Sequence, residues 1–290
     1  MAAVLLACAS ALLFGGMSVA LAFAFREDDD ADVGSLLTVT AAFGVCAGAA
    51  VVDRWDRGNS DASSLLPFFL VGFLSPGVAQ LMFTRAVREA GASRTSVAVG
   101  VAPLVAVVIA LIFLGEPVNA GLIAGALLVV LGSVALVRER VRPESFRWLG
   151  IGYAVTGTVL FATRDNIVRW LAQDTHAAPL AAAATSLLAG VLAALAVLAV
   201  TRRAAIVAAV RRSSPRFLVA GVLFGLSYVF LFEAYYRGRV TVVSPLVATE
   251  SLWGVLLSAL LLGRTELVSR RLVLGALLIV AGGALIGAAR

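Results

Sequence analysis

The stretch SPLVATESLWGVLLSALLLG, residues 244–263, carries one ionisable side chain, Glu250, among almost uniformly apolar neighbours. A carboxylate in that setting can take up a proton, bind a cationic group of a solute, or neutralise an arginine from elsewhere in the fold. Trp253 follows three residues on and shares its helix face, so Trp253 is expected to wall the space that Glu250 faces. A second anomaly is GTVLFATRDNIVRW, where Arg164 and Asp165 interrupt another apolar run. Asp165 has Arg169 one turn on, the spacing of an ordinary helix-stabilising pair. That pairing leaves Arg164 on another face without a local acid. Its planar fork suits a carboxylate, either that of Glu250 or that of a solute. Asn166 is a further donor beside it.

A third pair is Arg85 in FTRAV and Glu233 in LFEAY. The two are candidates for a gate or an inter-repeat ion pair. The competing reading is two residues near helix ends that snorkel to water, with Glu233 served by Arg237 at i+4. Gln80 and Tyr228 are the remaining candidates to line a polar cavity. Ser75, Thr156 and Ser227 mean less, because Ser and Thr readily bond back to their own helix. His176 is the single histidine and lies in a polar connection; Cys8 and Cys46 sit in apolar runs. No metal site, disulfide framework or cofactor is expected from them, and no phosphate-binding loop of the G-x-x-x-x-G-K-[ST] kind is present.

These residues need elements to hold them, and composition defines the elements. The 290 residues are 61% hydrophobic and 14% charged, with a mean hydropathy of +1.01. Too few polar residues exist to cover a soluble domain of this size. Apolar runs of about 20 residues recur, the length needed to cross a bilayer as a helix. Reading runs against charged breaks predicts ten helices over 2–25, 33–52, 65–87, 92–114, 118–137, 148–171, 177–200, 216–236, 240–262 and 271–288. The runs are continuous rather than alternating, which excludes a β-barrel. The first run lacks the basic start of a cleaved signal peptide. A charge at the centre of a span costs about 2.5–3.5 kcal/mol or more and usually faces the bundle interior or a wet cavity. Glu250, about ten residues or 15 Å from either end of its span, is such a charge.

The chain also repeats. GALLVVLGSVAL from Gly125 matches GALLIVAGGALI from Gly275, and Glu116 aligns with Glu266 at the same offset. Arg85 and Glu233 stand at equivalent positions. Two five-helix units are expected, 1–138 and 147–290. Five is odd, so the second must enter the membrane from the opposite side, giving inverted repeats, a common transporter plan.

The segment REAGASRTSVAVGVAPLVAVVIALIFLGEPVNAGLIAGALLVVLGSVAL, residues 88–136, resembles the end of an EamA-type unit of the drug/metabolite transporter superfamily. The carrying features are Ala-Gly-Ala before the fourth span, mid-span Pro103, LGE at its end and the glycine-rich fifth span. LLFGG at 12–16 resembles the family's Trp-Gly, with Phe14 for tryptophan; residues 237–286 repeat the pattern with Ser251 at the proline position. Pro245, earlier in that span, is a candidate for the bend instead. The resemblance implies a ten-helix secondary carrier with a central cavity for small organic metabolites such as amino acids, read here as an exporter. Protons are the candidate coupling ion. Partners are the solute and membrane lipid, not nucleic acid, and the location a prokaryotic inner membrane. A channel, a non-transporting scaffold and an intramembrane enzyme are the alternatives. The enzyme lacks a nucleophile–base pair or metal ligands within its spans.

The net charge of +6 is carried wholly by arginine. Sixteen arginines fall at the ends joined by connections 1–2, 3–4, 5–6, 7–8 and 9–10, and six at the other. The positive-inside rule then puts both termini outside the cytoplasm, whereas the family pattern puts them inside. Arginine pairs bracketing the short apolar run in TRRAAIVAAVRRSSPRF can lie at the membrane interface near anionic headgroups.

Overall fold

A computed structural model describes residues 2–57, 61–102, 104–105, 119–137, 146–202, 206–238, 243, 246–263 and 268–289. Pro103, Pro245, Glu116 and Glu266 lie outside the described residues. Every regular element among the described residues is helical: α1 (Ala2–Ala24), α2 (Ala31–Arg57), α3 (Ala62–Gly72), α4 (Ala79–Ala90), α5 (Ala92–Val99), α6 (Ala120–Val137), α7 (Trp148–Asp174), α8 (Pro179–Arg202), α9 (Ile206–Arg212), α10 (Arg216–Arg237), α11 (Glu250–Leu257) and α12 (Arg270–Ala289). Single π-helical turns join α3 to α4 and extend α11 to Leu262. Among the described residues, five stretches are long and apolar enough to cross a membrane: Ala2–Ala24, Ala31–Asp53, Ala62–Ala90, Pro179–Thr201 and Arg216–Arg237.

The expected third span is not one smooth helix. Ser75 adopts φ −149° and ψ 116° just before Pro76, and the chain kinks there because proline supplies no N–H to the helix ladder. The fourth and ninth spans, expected as single helices, both tighten at their middles. The Val101 N–H bonds Ala98 O and the Leu104 N–H bonds Val101 O. At positions 148 residues on, the Thr249 N–H bonds Leu246 O and the Leu252 N–H bonds Thr249 O. These i to i−3 bonds are 3₁₀ turns, which mid-helix often mark a hinge or strain. In the second half this happens although the repeat's proline is replaced by Ser251. Glu250 therefore opens the first turn of α11 instead of sitting in mid-helix.

Helices that are apolar on every side have no amphipathic stripe to choose their buried face; small residues choose it by allowing close approach. The outermost pair, α6 and α12, illustrates this. A Cβ on Gly125 would meet Gly282 O at 2.7 Å, and one on Gly132 would meet Gly275 O at 2.6 Å. The early glycine of each helix faces the late glycine of the other, so the two repeat-related helices run antiparallel. Other contacts come in exchanged pairs: α1 packs on α10 as α7 packs on α4, α2 on α10 as α8 on α3, and α1 on α11 as α7 on α5. α2 with α8 and α5 with α11 pair across the same relation. Where α1, α5 and α11 meet, a Cβ on Gly254 would fall 2.0 Å from Ser96 Oγ, so close packing accounts for that glycine.

Candidate functional site

Four helices of the bundle centre, α1, α4, α7 and α10, bring aromatic rings together. Phe14 stacks edge-on against Phe83 at 5.0 Å, Phe161 at 5.8 Å and Phe224 at 6.0 Å. Beside this cluster lies a small cavity of about 30 Å³ lined by Ser10, Phe14, Phe161, Arg164, Asp165, Ser227, Tyr228 and Glu250, with Val99, Ala102, Val247 and Ala248 from the two tightened turns. It has room for a water or two and is too small for a metabolite.

Three of the sequence candidates meet here. Arg164, only 4% exposed, lies with its guanidinium carbon 4.8 Å from the Tyr228 ring centre and 5.5 Å from that of Phe161. Such stacking stabilises a desolvated cation. Glu250 is buried in the same lining. The Tyr228 ring packs against Phe224 at 4.6 Å.

The pairing differs from expectation. Arg164 Nε lies 2.8 Å from Asp165 Oδ1, so Arg164 takes the acid next to it in sequence. Arg169 donates instead to Tyr235 O at 2.6 Å. The expected Asp165–Arg169 pair does not form: α10 offers Arg169 the Tyr235 carbonyl, and Asp165 lines the cavity beside Arg164. The ion pair is not an aligned hydrogen bond, and Arg164 Nη1 also lacks a hydrogen-bond partner. Glu250 makes no ion pair within 4 Å among the described residues. The cavity thus holds a buried donor and a buried acceptor that do not satisfy each other.

Other candidates lie elsewhere. Trp253 packs its Cβ over Gly15 of α1 and does not line the cavity; the close approach of α1 to α11 at Gly15 and Gly254 takes it up instead. Gln80 is fully buried with Nε2 3.4 Å from Thr84 Oγ1 and 3.6 Å from Met17 Sδ, outside the cavity lining. Asn166 donates back to Ala162 O at 2.8 Å. Arg85 and Glu233 do not form an inter-repeat pair: Arg85 closes onto Asp32 at 2.8 Å and Glu233 onto Arg237 at 2.6 Å. Each finds a nearer opposite charge within its own half. Ser10 and Ser227, whose hydroxyls meet at 3.0 Å, line the cavity but carried no distinguishing signal in sequence.

The arginine-rich end is tied together around the connection between α1 and α2. Ser213 Oγ donates to Asp28 Oδ2 at 2.5 Å and Ser214 Oγ to Glu27 Oε2 at 2.6 Å. Arg216 lies 3.0 Å from Glu27, and Arg88 Nη1 donates to Asp29 O at 3.2 Å. This acidic connection therefore bridges the end of α4 and the start of α10.

Comparison with known proteins bears on what such a cavity is for. A solved structure described only as "Crystal structure of protein" aligns with a TM-score of 0.65 at 19% identity, over 98% of this chain and 95% of the other. At that identity the likeness speaks for the fold alone. No curated protein matches the chain. The family model of the EamA-like transporter family matches twice, over residues 1–138 and 148–288. With apolar helices long enough to span a bilayer, the chain is a multi-pass integral membrane protein and belongs to the EamA-like transporter family.

Proposed function

We propose that the protein is a ten-span secondary carrier that exports small organic metabolites, amino acids or related compounds, by alternating access. The units are 1–138 and 147–290, inverted relative to each other, in a prokaryotic inner membrane. The antiparallel crossing of α6 and α12 and the exchanged helix contacts support the inverted arrangement.

The observation that carries the reading is Arg164, Asp165, Tyr228 and Glu250 gathered in one small cavity between the two tightened turns. Alternating access needs a site that each side reaches in turn, and midplane sites at the repeat interface with locally unwound helices serve that plan. In this reading Arg164 binds an anionic group of the solute through its unengaged Nη1, and Asp165 holds it in orientation. Glu250 binds an amine or the coupling proton. Gln80, Trp253 and Asn166, outside the cavity in this closed form, are secondary candidates for an open form.

The test is uptake in proteoliposomes across a panel of metabolites, preselected by thermal stabilisation of the purified protein. Saturable flux with counter-exchange is expected. Non-saturating flux without counter-exchange would indicate a channel and overturn the reading.

A further inference from the structure

Between the central cavity and the arginine-rich end lie two layers of structure. Hydrogen bonds between helix ends define that end. Arg147 N, at the start of α7, donates to Glu89 O near the end of α4 at 2.7 Å. Arg88 of α4 donates to Asp29 O just beyond α1 at 3.2 Å, and Ser214, just before α10, donates to Glu27 at 2.6 Å. So α1 and α4 finish where α7 and α10 begin. On three of these helices an aromatic ring stands about one turn nearer this end than a polar residue of the cavity lining. The pairs are Phe14 with Ser10 on α1, Phe161 with Arg164 on α7, and Phe224 with Tyr228 on α10. Phe14 meets Phe161 and Phe224 edge-on, and Phe83 of α4 completes the set. The rings form a plug on this side of the cavity. Closer to the end, Met17, Leu21, Val87 and Phe217 are buried as well.

The second layer is the acidic connection between α1 and α2, residues 25–30. Asp28 accepts from Ser213 at 2.5 Å, and Glu27 accepts from Ser214 and lies 3.0 Å from Arg216. These contacts join the first half of the chain to the second. Within the first half, Arg88 holds Asp29 O and Arg85 holds Asp32 at the start of α2 at 2.8 Å. The connection also bonds to itself: Asp30 N donates to Asp28 Oδ1 at 3.0 Å, and Val33 N to Asp30 Oδ1 at 3.2 Å. One short segment thus ties α1, α2, α4 and α10 over the plug. Its contacts across the halves are breakable. Glu27 and Arg216 are 43% and 50% exposed, and pairs of that exposure are individually weak.

We infer that the connection between α1 and α2 is the lock of a gate. While it holds Ser213, Ser214 and Arg216, the aromatic plug stays packed and the arginine-rich side has no path to the cavity. On release, the ends of α1 and α10 part and Phe14 separates from Phe224. Several weak contacts over a dry plug suit this task, because a lock must open on the timescale of turnover. The inference rests on the carrier reading, in which the site is reached from each side in turn.

The first test needs no transport. Full-length protein carrying Ser227→Cys, a reporter in the cavity, is placed in membrane vesicles of either orientation. An impermeant methanethiosulfonate is added outside. Labelling is counted by mass spectrometry against the parent chain, which has only Cys8 and Cys46. Exposed Arg211→Cys identifies the vesicles that present the arginine-rich end. Adding Glu27→Gln with Asp28→Asn should speed labelling of the reporter from that end about 3- to 10-fold, the population shift expected from losing a few partly exposed contacts. Labelling from the other side should not rise. Ser10→Cys, in the same lining, serves as reporter if Ser227→Cys does not fold. In a separate protein, Asp28→Cys and Ser213→Cys are bridged by a short bifunctional thiosulfonate. Counter-exchange should stop on bridging and return with reductant. Absence of flux before bridging would count against the carrier reading, and the labelling rates would still decide the lock. An unchanged labelling rate, an equal rise from both sides, or full counter-exchange in the bridged protein would each overturn the proposal.

Discussion

Asp165→Asn is the sharpest test of how the cavity is held together. Arg164 is 4% exposed and its one ion-pair contact among the described residues is Asp165 at 2.8 Å. At an effective dielectric of about 20, a contact of that length is worth about 6 kcal/mol of attraction before desolvation is subtracted. Glu250 lies beyond 4 Å, so without rearrangement it returns at most about 4 kcal/mol. Breaking a buried pair by removing one partner typically costs about 3–5 kcal/mol, because a charge is left uncompensated. On the scaling for globular chains, that lowers Tm by about 5–8 °C for a protein of this length. The double variant Arg164→Met with Asp165→Asn removes both charges and should recover most of the loss while remaining inactive in transport. The assay is thermal unfolding in detergent, with counter-exchange in proteoliposomes on the same preparations. An unchanged Tm for Asp165→Asn, or a double variant no more stable than the single one, would refute the assignment of Asp165 as the anchor of Arg164.

Four further outcomes follow from the structure. Arg164→Lys keeps the charge but loses the fork; with a charged hydrogen bond worth about 1.5–3 kcal/mol, apparent solute affinity in counter-exchange should fall about 10–150-fold while Tm holds. Glu250→Gln mimics the protonated acid, so exchange of solute for solute should persist and accumulation driven by a pH gradient should vanish; unchanged pH-driven uptake would remove Glu250 as the proton site. Gly282→Ala puts a Cβ 2.6 Å from Gly125 O, closer than real contacts allow; α6 and α12 must separate, and a loss of about 1–3 kcal/mol should appear as a lower Tm. In contrast, Gly44→Ala, where no atom lies within 4 Å of the added Cβ, should leave Tm unchanged or slightly raised.

Much of this protein was legible in its sequence. Composition alone requires a membrane protein, because 14% charged residues cannot clothe 290 residues in water. The offset repeat identifies equivalent positions, and Gly125, Gly132, Gly275 and Gly282 then meet crosswise where the two halves touch. Glu250 and Arg164 stand out because charge is scarce in apolar runs and costly there. What sequence did not determine is which face of each helix looks inward. The apolar helices carry no amphipathic stripe, so their rotation is decided by close approach between small residues distant in the chain, as at Gly254 and Ser96. That rotation directs Trp253 onto Gly15 and adds Ser10 and Ser227 to the cavity. Ion pairing is likewise a tertiary decision. Arg169 leaves Asp165 of its own helix for the Tyr235 carbonyl of α10, and Arg85 takes Asp32 of α2, because a neighbouring helix brings an acceptor close in a medium where an unpaired charge is expensive.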